Sequence, residues 1–278
     1  MTPQTLISVA ELQALQAQRA SLVLLDCSFD LADTAAGERT CAAGHLPGAI
    51  YAHLDRDLAG ARTGHNGRHP LPTRSALAQR MGAWGIAPGV AVVCYDDQGG
   101  VYASRAWWLL RWMGHADVAV LDGGRGAWLA TGAGLEAGAV RVRAQAPYPT
   151  RAAAAPTVDT PTLQSQLGRI TLLDARAIER FRGEVEPLDP VAGHIPGASH
   201  RHFKDNLAAD GRFKTAAQLR VEFATVVGAG EVVHSCGSGV TACHNLLAMA
   251  HAGLAPGALY PGSWSEWCSD PARPVERG

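Results

Sequence analysis

The sequence predicts an α/β protein built as two tandem domains, each a small parallel sheet with helices on both faces. Three observations carry that expectation. Short apolar runs rich in β-branched residues alternate with stretches of helical period, the pattern of fully buried strands separated by covering helices. The chain also repeats itself, block by block and in one order, at an offset of about 140–150 residues. Finally, 278 residues with 47% hydrophobic and 18% charged side chains suffice for two ordinary cores.

The repeat is read directly from matched blocks. Leu24-Leu25-Asp26 returns as Leu172-Leu173-Asp174, and Ala43-Gly44-His45-Leu46-Pro47-Gly48-Ala49 returns as Ala192-Gly193-His194-Ile195-Pro196-Gly197-Ala198. Val92-Val93-Cys94-Tyr95-Asp96 aligns with Val232-Val233-His234-Ser235-Cys236. Leu121-Asp122-Gly123-Gly124-Arg125-Gly126-Ala127-Trp128 is echoed by Tyr260-Pro261-Gly262-Ser263-Trp264-Ser265-Glu266-Trp267. The expected domains are 1–136 and 157–278. The stretch 137–156, rich in Ala, Gly and Pro and without period, reads as the linker.

The elements follow in order. The first copy is expected to form helix Val9–Gln18, strand Ser21–Leu25, helix Arg74–Trp84, strand Val90–Tyr95, helix Ala103–Met113 and strand Val118–Leu121. The second is expected to form helix Thr162–Leu167, strand Ile170–Leu173, helix Thr215–Val226, strand Val232–Ser235, helix Val240–Ala252 and strand Ala258–Tyr260. In such sheets ligands bind beyond the C-terminal strand ends.

A net charge of −1 argues against nucleic acid or an anionic membrane as a partner recruited by bulk charge. Met1–Leu6 has no basic leader character, and no window reaches the ~18 apolar residues of a membrane span. The expectation is a soluble, cytoplasmic protein. The six cysteines, Cys27, Cys41, Cys94, Cys236, Cys243 and Cys268, include no CxxC pair, so most should be small buried hydrophobes. His234, His244 and Cys236 do not make a credible metal set, and no lysine follows a glycine loop to hold a nucleotide phosphate. No cofactor is expected. His45 and His194 share one repeat position and read as structural, while Trp107, Trp108 and Trp112 lie at helical spacing and read as packing.

The chemistry points to Cys236. It follows the apolar strand 232–235, opens the loop Cys236-Gly237-Ser238-Gly239-Val240-Thr241 and precedes a helix. Glycines let the backbone curl until N–H groups point inward, and the helix start adds partial positive charge. Both favour a thiolate, the nucleophilic form. The first copy has Asp96 at this place, in a loop (Asp96–Tyr102) expected to be one residue longer. That half keeps the fold without a sulfur nucleophile.

These motifs together resemble the two-domain rhodanese-like sulfurtransferases, over nearly the whole chain. Cys236-Gly237-Ser238-Gly239-Val240-Thr241 is most like the active loop of the 3-mercaptopyruvate type, whereas the thiosulfate type usually has basic residues where Gly237 and Ser238 stand. Gly262-Ser263-Trp264-Ser265-Glu266-Trp267 and the twin Gly-His-x-Pro-Gly-Ala blocks add to the likeness. The resemblance implies that Cys236 takes sulfur from 3-mercaptopyruvate, or alternatively thiosulfate, as a persulfide, releasing pyruvate or sulfite. The sulfur then passes to a thiol such as thioredoxin or glutathione, or to cyanide. It implies that Arg180 grips the donor's anionic group, with Arg182 the neighbouring candidate. It implies too that Gly237, Gly239, Val240 and Thr241 form the substrate cradle, and that Ser238, His69 and Asp55 form a proton relay. One departure stands out: mercaptopyruvate enzymes carry a second arginine about nine residues after the first, and here Glu184–Pro190 has none. Arg201 or Lys204 is the substitute suggested by position.

Two rival classes remain open. Cysteine-dependent phosphatases use a similar strand–loop–helix cradle but need an arginine six residues after the cysteine, where this chain has Ala242. A non-catalytic rhodanese-like carrier or binding module is the other, and retention of Cys236 speaks against it.

Overall fold

The computed structural model describes residues 5–18, 21–228 and 230–278. Their contacts divide the chain into two compact units. Unit 1 runs to Ala59 and includes Pro72–Ala154 and Ala209–Arg212; unit 2 comprises Gly60–Leu71, Ala155–Ala208 and Phe213–Gly278. The segment Gly60–Leu71 thus belongs by contact to the second unit, although it lies within the first repeat.

Unit 1 holds β1 (Leu6–Ile7), β2 (Leu22–Asp26), β3 (Ala49–Tyr51), β4 (Ala91–Tyr95) and β5 (Val118–Leu121), in sheet order β1-β5-β4-β2-β3. Unit 2 holds β6 (Thr171–Asp174), β7 (Ser199–His200), β8 (Val232–Ser235) and β9 (Ala258–Leu259), in order β7-β6-β8-β9. Within the two sheets these strands pair in parallel. Read from one edge, β3-β2-β4-β5 and β7-β6-β8-β9 are the same topology, as the repeat requires. The counterpart of β1 survives in unit 2 as an isolated parallel bridge between Thr157 and Leu259.

Helices α1 (Val9–Ala17), α2 (Ala36–Ala43), α3 (Leu54–Asp57), α4 (Arg74–Ala83), α5 (Ala103–Trp112) and α6 (Gly124–Leu129) belong to unit 1. Unit 2 carries α7 (Thr160–Gln166), α8 (Ile178–Arg182), α9 (Ala216–Ala224), α10 (Thr241–His251) and α11 (Ser263–Trp267). The starts are set by polar caps: Ser8 with Glu11 and Thr215 with Gln218 form reciprocal capping boxes, and Thr73 and Asp159 each cap a first turn. Every strand expected from the sequence forms within one residue of its expected ends. The strands not expected, β1, β3 and β7, have two or three residues, too few to show a period.

The twin Gly-His-x-Pro-Gly-Ala blocks now have a physical reason. His45 pairs antiparallel with Glu136, and His194 pairs identically with Glu276. The two glutamates also accept the N–H of Gly48 at 2.9 Å and of Gly197 at 2.8 Å. His45 Nδ1 lies 2.9 Å from the Leu46 carbonyl. His194 Nδ1 lies 2.7 Å from the Phe181 carbonyl, with its ring stacked on Phe181 at 3.8 Å. Each block therefore ties the tail of its repeat back to its own sheet.

In unit 2, Trp264, Trp267, Tyr260, Leu163, Leu172 and Val233 form the buried core on one sheet face. His234 lies on β8, fully buried, with Nε2 2.9 Å from the Pro256 carbonyl and Nδ1 without a partner. Burial pushes its pKa down to about 4. The folded protein therefore refuses a proton that the unfolded chain accepts near the ordinary histidine value. Stability conferred by neutral His234 is complete at pH 7 and is lost as the pH falls towards 4. His115 and His202, also depressed by burial, act in the same direction. His234→Cys, which installs the residue found at Cys94 in the first repeat, should lose about 3 kcal/mol less than the parent between pH 7 and 4. Denaturant melts across that range measure the difference.

Candidate functional site

β8 lies between β6 and β9, and its four residues are buried. The chain emerging from it is forced into a tight loop before α10, and Cys236 is its first residue. The neighbouring 260–265 segment pins this loop: Trp264 N–H donates to the Cys236 carbonyl and Ser265 N–H to the Gly237 carbonyl, both at 2.9 Å. Gly239 has φ +75°, and a Cβ there would stand 2.4 Å from the Pro261 carbonyl oxygen. Only glycine fits that turn.

The turn brings the Gly239 N–H to Cys236 Sγ at 3.1 Å. The Cys236 N–H itself donates to Ser263 Oγ at 3.1 Å, and Ser263 in turn donates to the Tyr260 carbonyl at 3.0 Å. Ser263 has φ +52°, the one non-glycine positive φ among the described residues, a conformation that costs on the order of 1–3 kcal/mol. Its repeat counterpart is Gly124, with φ +54°. Unit 2 has thus placed a side chain on a glycine conformation, and that hydroxyl holds the backbone of Cys236. The N-cap of α10, Val240, contributes no side-chain bond, and its carbonyl accepts the Cys243 N–H at 3.0 Å. Cys236, Ser238 and Val240 are buried, and Thr241 is half-buried.

Unit 1 shows what such a turn can hold. The Asp96 carboxylate accepts the N–H groups of Gln98, Gly100, Tyr102 and Ala103, at 2.8–2.9 Å. Burial raises its pKa, and those four main-chain donors oppose the rise. A carboxyl group that accepts four main-chain N–H groups thus sits in the amide ring of the first repeat, at the place equivalent to Cys236. Because α5 begins at Ala103 and α10 at Thr241, the first loop is longer by two residues, one more than the sequence comparison expects.

Around the Cys236 loop, Ser238 Oγ lies 2.7 Å from His69 Nδ1. His69 reaches it from the segment Gly60–Leu71 within unit 2. Asp55 sits in the first turn of α3 in unit 1.

Arg180, on α8, borders Gly237: a Cβ there would be 3.3 Å from Arg180 Nη1 and 3.1 Å from Arg68 Nη2. Any side chain at 237 would press on both guanidinium groups. Arg182 is half-exposed and reaches Glu184 at 3.8 Å. Arg201 is tied to Glu222 at 2.7 Å and Asn206 at 3.1 Å.

Two groups escaped the sequence reading besides Ser263 and Arg68. Arg176 is buried, chelates Asp174 at 2.8–3.1 Å, donates to the Gly193 carbonyl at 2.7 Å and stacks over Trp264 at 4.9 Å. Burial works against its charge, but Asp174, Glu186 and Cys236 hold its pKa above the ordinary value. The signal was present: the first repeat reads Asp26-Cys27-Ser28 where the second reads Asp174-Ala175-Arg176. Glu186 is the second group, with oxygens 2.7–3.1 Å from Arg180 Nε and Nη2. Among the described residues no group of His, Cys, Asp and Glu is arranged to hold a metal ion.

Comparison with known proteins follows this geometry. Residues 8–131 and 159–270 each match the rhodanese-like domain family. The chain is 48% identical over the full length of both sequences to a Pseudomonas aeruginosa protein named "Probable 3-mercaptopyruvate sulfurtransferase". It is 34% identical to the thiosulfate sulfurtransferase of Cricetulus griseus, covering 88% of this chain and 84% of that protein. The solved 3-mercaptopyruvate sulfurtransferase from Leishmania major superposes with a TM-score of 0.84 at 31% identity, over 95% of this chain and 74% of that one. By its two matched domains and its full-length relatives, the chain belongs to the rhodanese family, among the two-domain sulfurtransferases.

Proposed function

We propose that the chain transfers sulfur from 3-mercaptopyruvate through a persulfide on Cys236. The observation that carries this reading is the sulfur's own setting, with Sγ accepting the Gly239 N–H at 3.1 Å on a loop that leads into α10. A thiolate accepts such a bond better than a thiol, and the amide ring suits a persulfide anion equally. The Asp96 carboxylate in the homologous turn supports the anion-holding role.

In this reading the Cys236 thiolate attacks the donor's thiol sulfur. The carbon–sulfur bond breaks, its electron pair goes to the methylene carbon as pyruvate enolate, and the thiol proton ends on that carbon. Ser238 and His69, 2.7 Å apart, are placed to carry the proton. An acceptor thiolate such as thioredoxin or glutathione, or cyanide, then takes the outer sulfur and returns Cys236 as thiolate. Arg180 receives the donor's carboxylate, while Gly237, Gly239, Val240 and Thr241 shape the cradle. We place the reaction in the cytoplasm, a reducing compartment suited to the six free cysteines. No described helix is long and apolar enough to cross a membrane.

Thiosulfate is the second reading. The Cricetulus griseus relative named for it favours this reading, as does the absence of a second arginine in Glu184–Pro190 after Arg180. Against it stands the uncharged Gly237-Ser238 pair. Measuring kcat/KM for the two donors with one acceptor decides the matter. Mercaptopyruvate should be preferred, and a clear preference for thiosulfate would overturn the choice.

A further inference from the structure

We propose that Ser263 is a positioning residue for the transfer step. Its hydroxyl, carried on a backbone conformation that glycine would hold freely, fixes the Cys236 main chain so that the sulfur meets its amide donor. The inference deepens the proposed reading and rests on it, since the placement of Cys236 matters only if Cys236 is the nucleophile.

Three consecutive residues grip the loop. Ser263 Oγ accepts the Cys236 N–H at 3.1 Å. Trp264 N–H donates to the Cys236 carbonyl, and Ser265 N–H to the Gly237 carbonyl, each at 2.9 Å. Both main-chain groups of the cysteine are therefore held from one side, and of these three bonds only the first depends on a side chain. The Ser263 hydroxyl is itself oriented, because it donates its proton to the Tyr260 carbonyl at 3.0 Å. With that proton committed, its lone pairs face the Cys236 amide. Tyr260 N–H in turn donates to the His234 carbonyl at 2.9 Å. A frame thus runs from β8, through the hydroxyl, to the amide of the residue that follows β8. Holding the peptide between Ser235 and Cys236 sets the direction of the cysteine Cα–Cβ bond, and that direction places Sγ 3.1 Å from the Gly239 N–H.

The first repeat shows that the fold does not require this hydroxyl. Gly124 holds the same conformation, φ +54° against +52° for Ser263, and α6 starts there without a side chain. A Cβ on Gly124 would stand 2.0 Å from the Asp96 carbonyl oxygen. In that copy the backbone fills the space that the serine side chain takes in unit 2. Asp96 is anchored by its own carboxyl, which accepts four main-chain N–H groups. Sulfur is a weaker acceptor, so the cysteine needs its backbone placed instead. The copy with the nucleophile has opened that space and holds a fully buried serine at an unfavourable φ. Strain of this kind persists where the surrounding structure imposes it, and it clusters at functional sites.

The test separates the hydroxyl from the backbone conformation. It uses the full chain and follows single-turnover formation of the persulfide from 3-mercaptopyruvate by intact-protein mass spectrometry. Ser263→Ala loses the hydroxyl and keeps the strained φ, whereas Ser263→Gly loses the hydroxyl and relieves the strain. Both should form the persulfide about ten- to a hundredfold more slowly at saturating donor, the scale of a misplaced reacting group. The factor should be the same in both, and the half-saturating donor concentration should not change. The acid limb of the rate against pH should move up by about one pH unit in both, because a displaced thiolate loses part of its amide bond. The glycine variant should still melt several degrees above the alanine variant. A rate loss that tracks melting temperature overturns the inference, since it would make Ser263 purely structural. Should Ser263→Ala fail to fold, the rate and pH profile of Ser263→Gly decide alone. A parent protein that forms no persulfide overturns the proposed function together with this inference. A normal parent persulfide with unslowed variants overturns the role of Ser263 alone.

Discussion

Cys236→Ser should abolish transfer from either donor, lowering turnover by several orders of magnitude, the scale seen when a covalent nucleophile is removed. The fold should survive. Cys236 Sγ accepts the Gly239 N–H, and a serine oxygen can accept it. The main-chain ties from Ser263, Trp264 and Ser265 do not involve the side chain. Stability should therefore change by no more than about 1 kcal/mol. Rate measurements with both donors, a thermal melt, and a mass spectrum of donor-treated protein check the three parts. Residual transfer of the parent magnitude would move the sulfur to another of the six cysteines.

Arg180→Ala is expected to act twice. It removes the guanidinium that faces Gly237, so KM for an anionic donor should rise about ten- to a hundredfold. It also strands Glu186, whose side chain is 4% exposed and whose remaining cation, Arg176, is 3.5 Å away. Breaking one side of a buried pair costs about 3–5 kcal/mol, discounted here because the Arg180 side chain keeps 18% exposure. The two effects separate in the double variant Arg180→Ala/Glu186→Gln. Melting temperature should recover because no buried charge is left without its partner, while KM stays high. If KM recovered together with stability, Arg180 would be a scaffold residue and would drop out of the donor site.

The repeat made the fold legible in the sequence, because matched blocks such as Leu24-Leu25-Asp26 and Leu172-Leu173-Asp174 encode matched strands. What escaped were elements without a period of their own, such as β7 at Ser199–His200, whose pairing with β6 comes from the chain around it. Cys236 was legible because strand, glycine loop and helix are contiguous. Ser238 and His69, joined in expectation by family resemblance, do meet. Arg68 and Ser263 were not legible as neighbours of the loop, since their partners are distant in sequence. Arg68 meets Asp189 across 121 positions. Ser263 meets Cys236 across 27, and only its alignment with Gly124 hinted at an unusual backbone. Arg176 could have been found by asking where the two copies differ rather than where they agree.

The Asp96 turn of the first repeat has a quantitative corollary for the whole chain. Its ring of amides is plugged by a carboxylate attached to the backbone, which cannot diffuse away and has no lone sulfur to trade. Whatever the concentration of donor, the molecule's sulfane capacity in this fold is then one atom, not two, and titration of transferable sulfur against protein should plateau at a single equivalent.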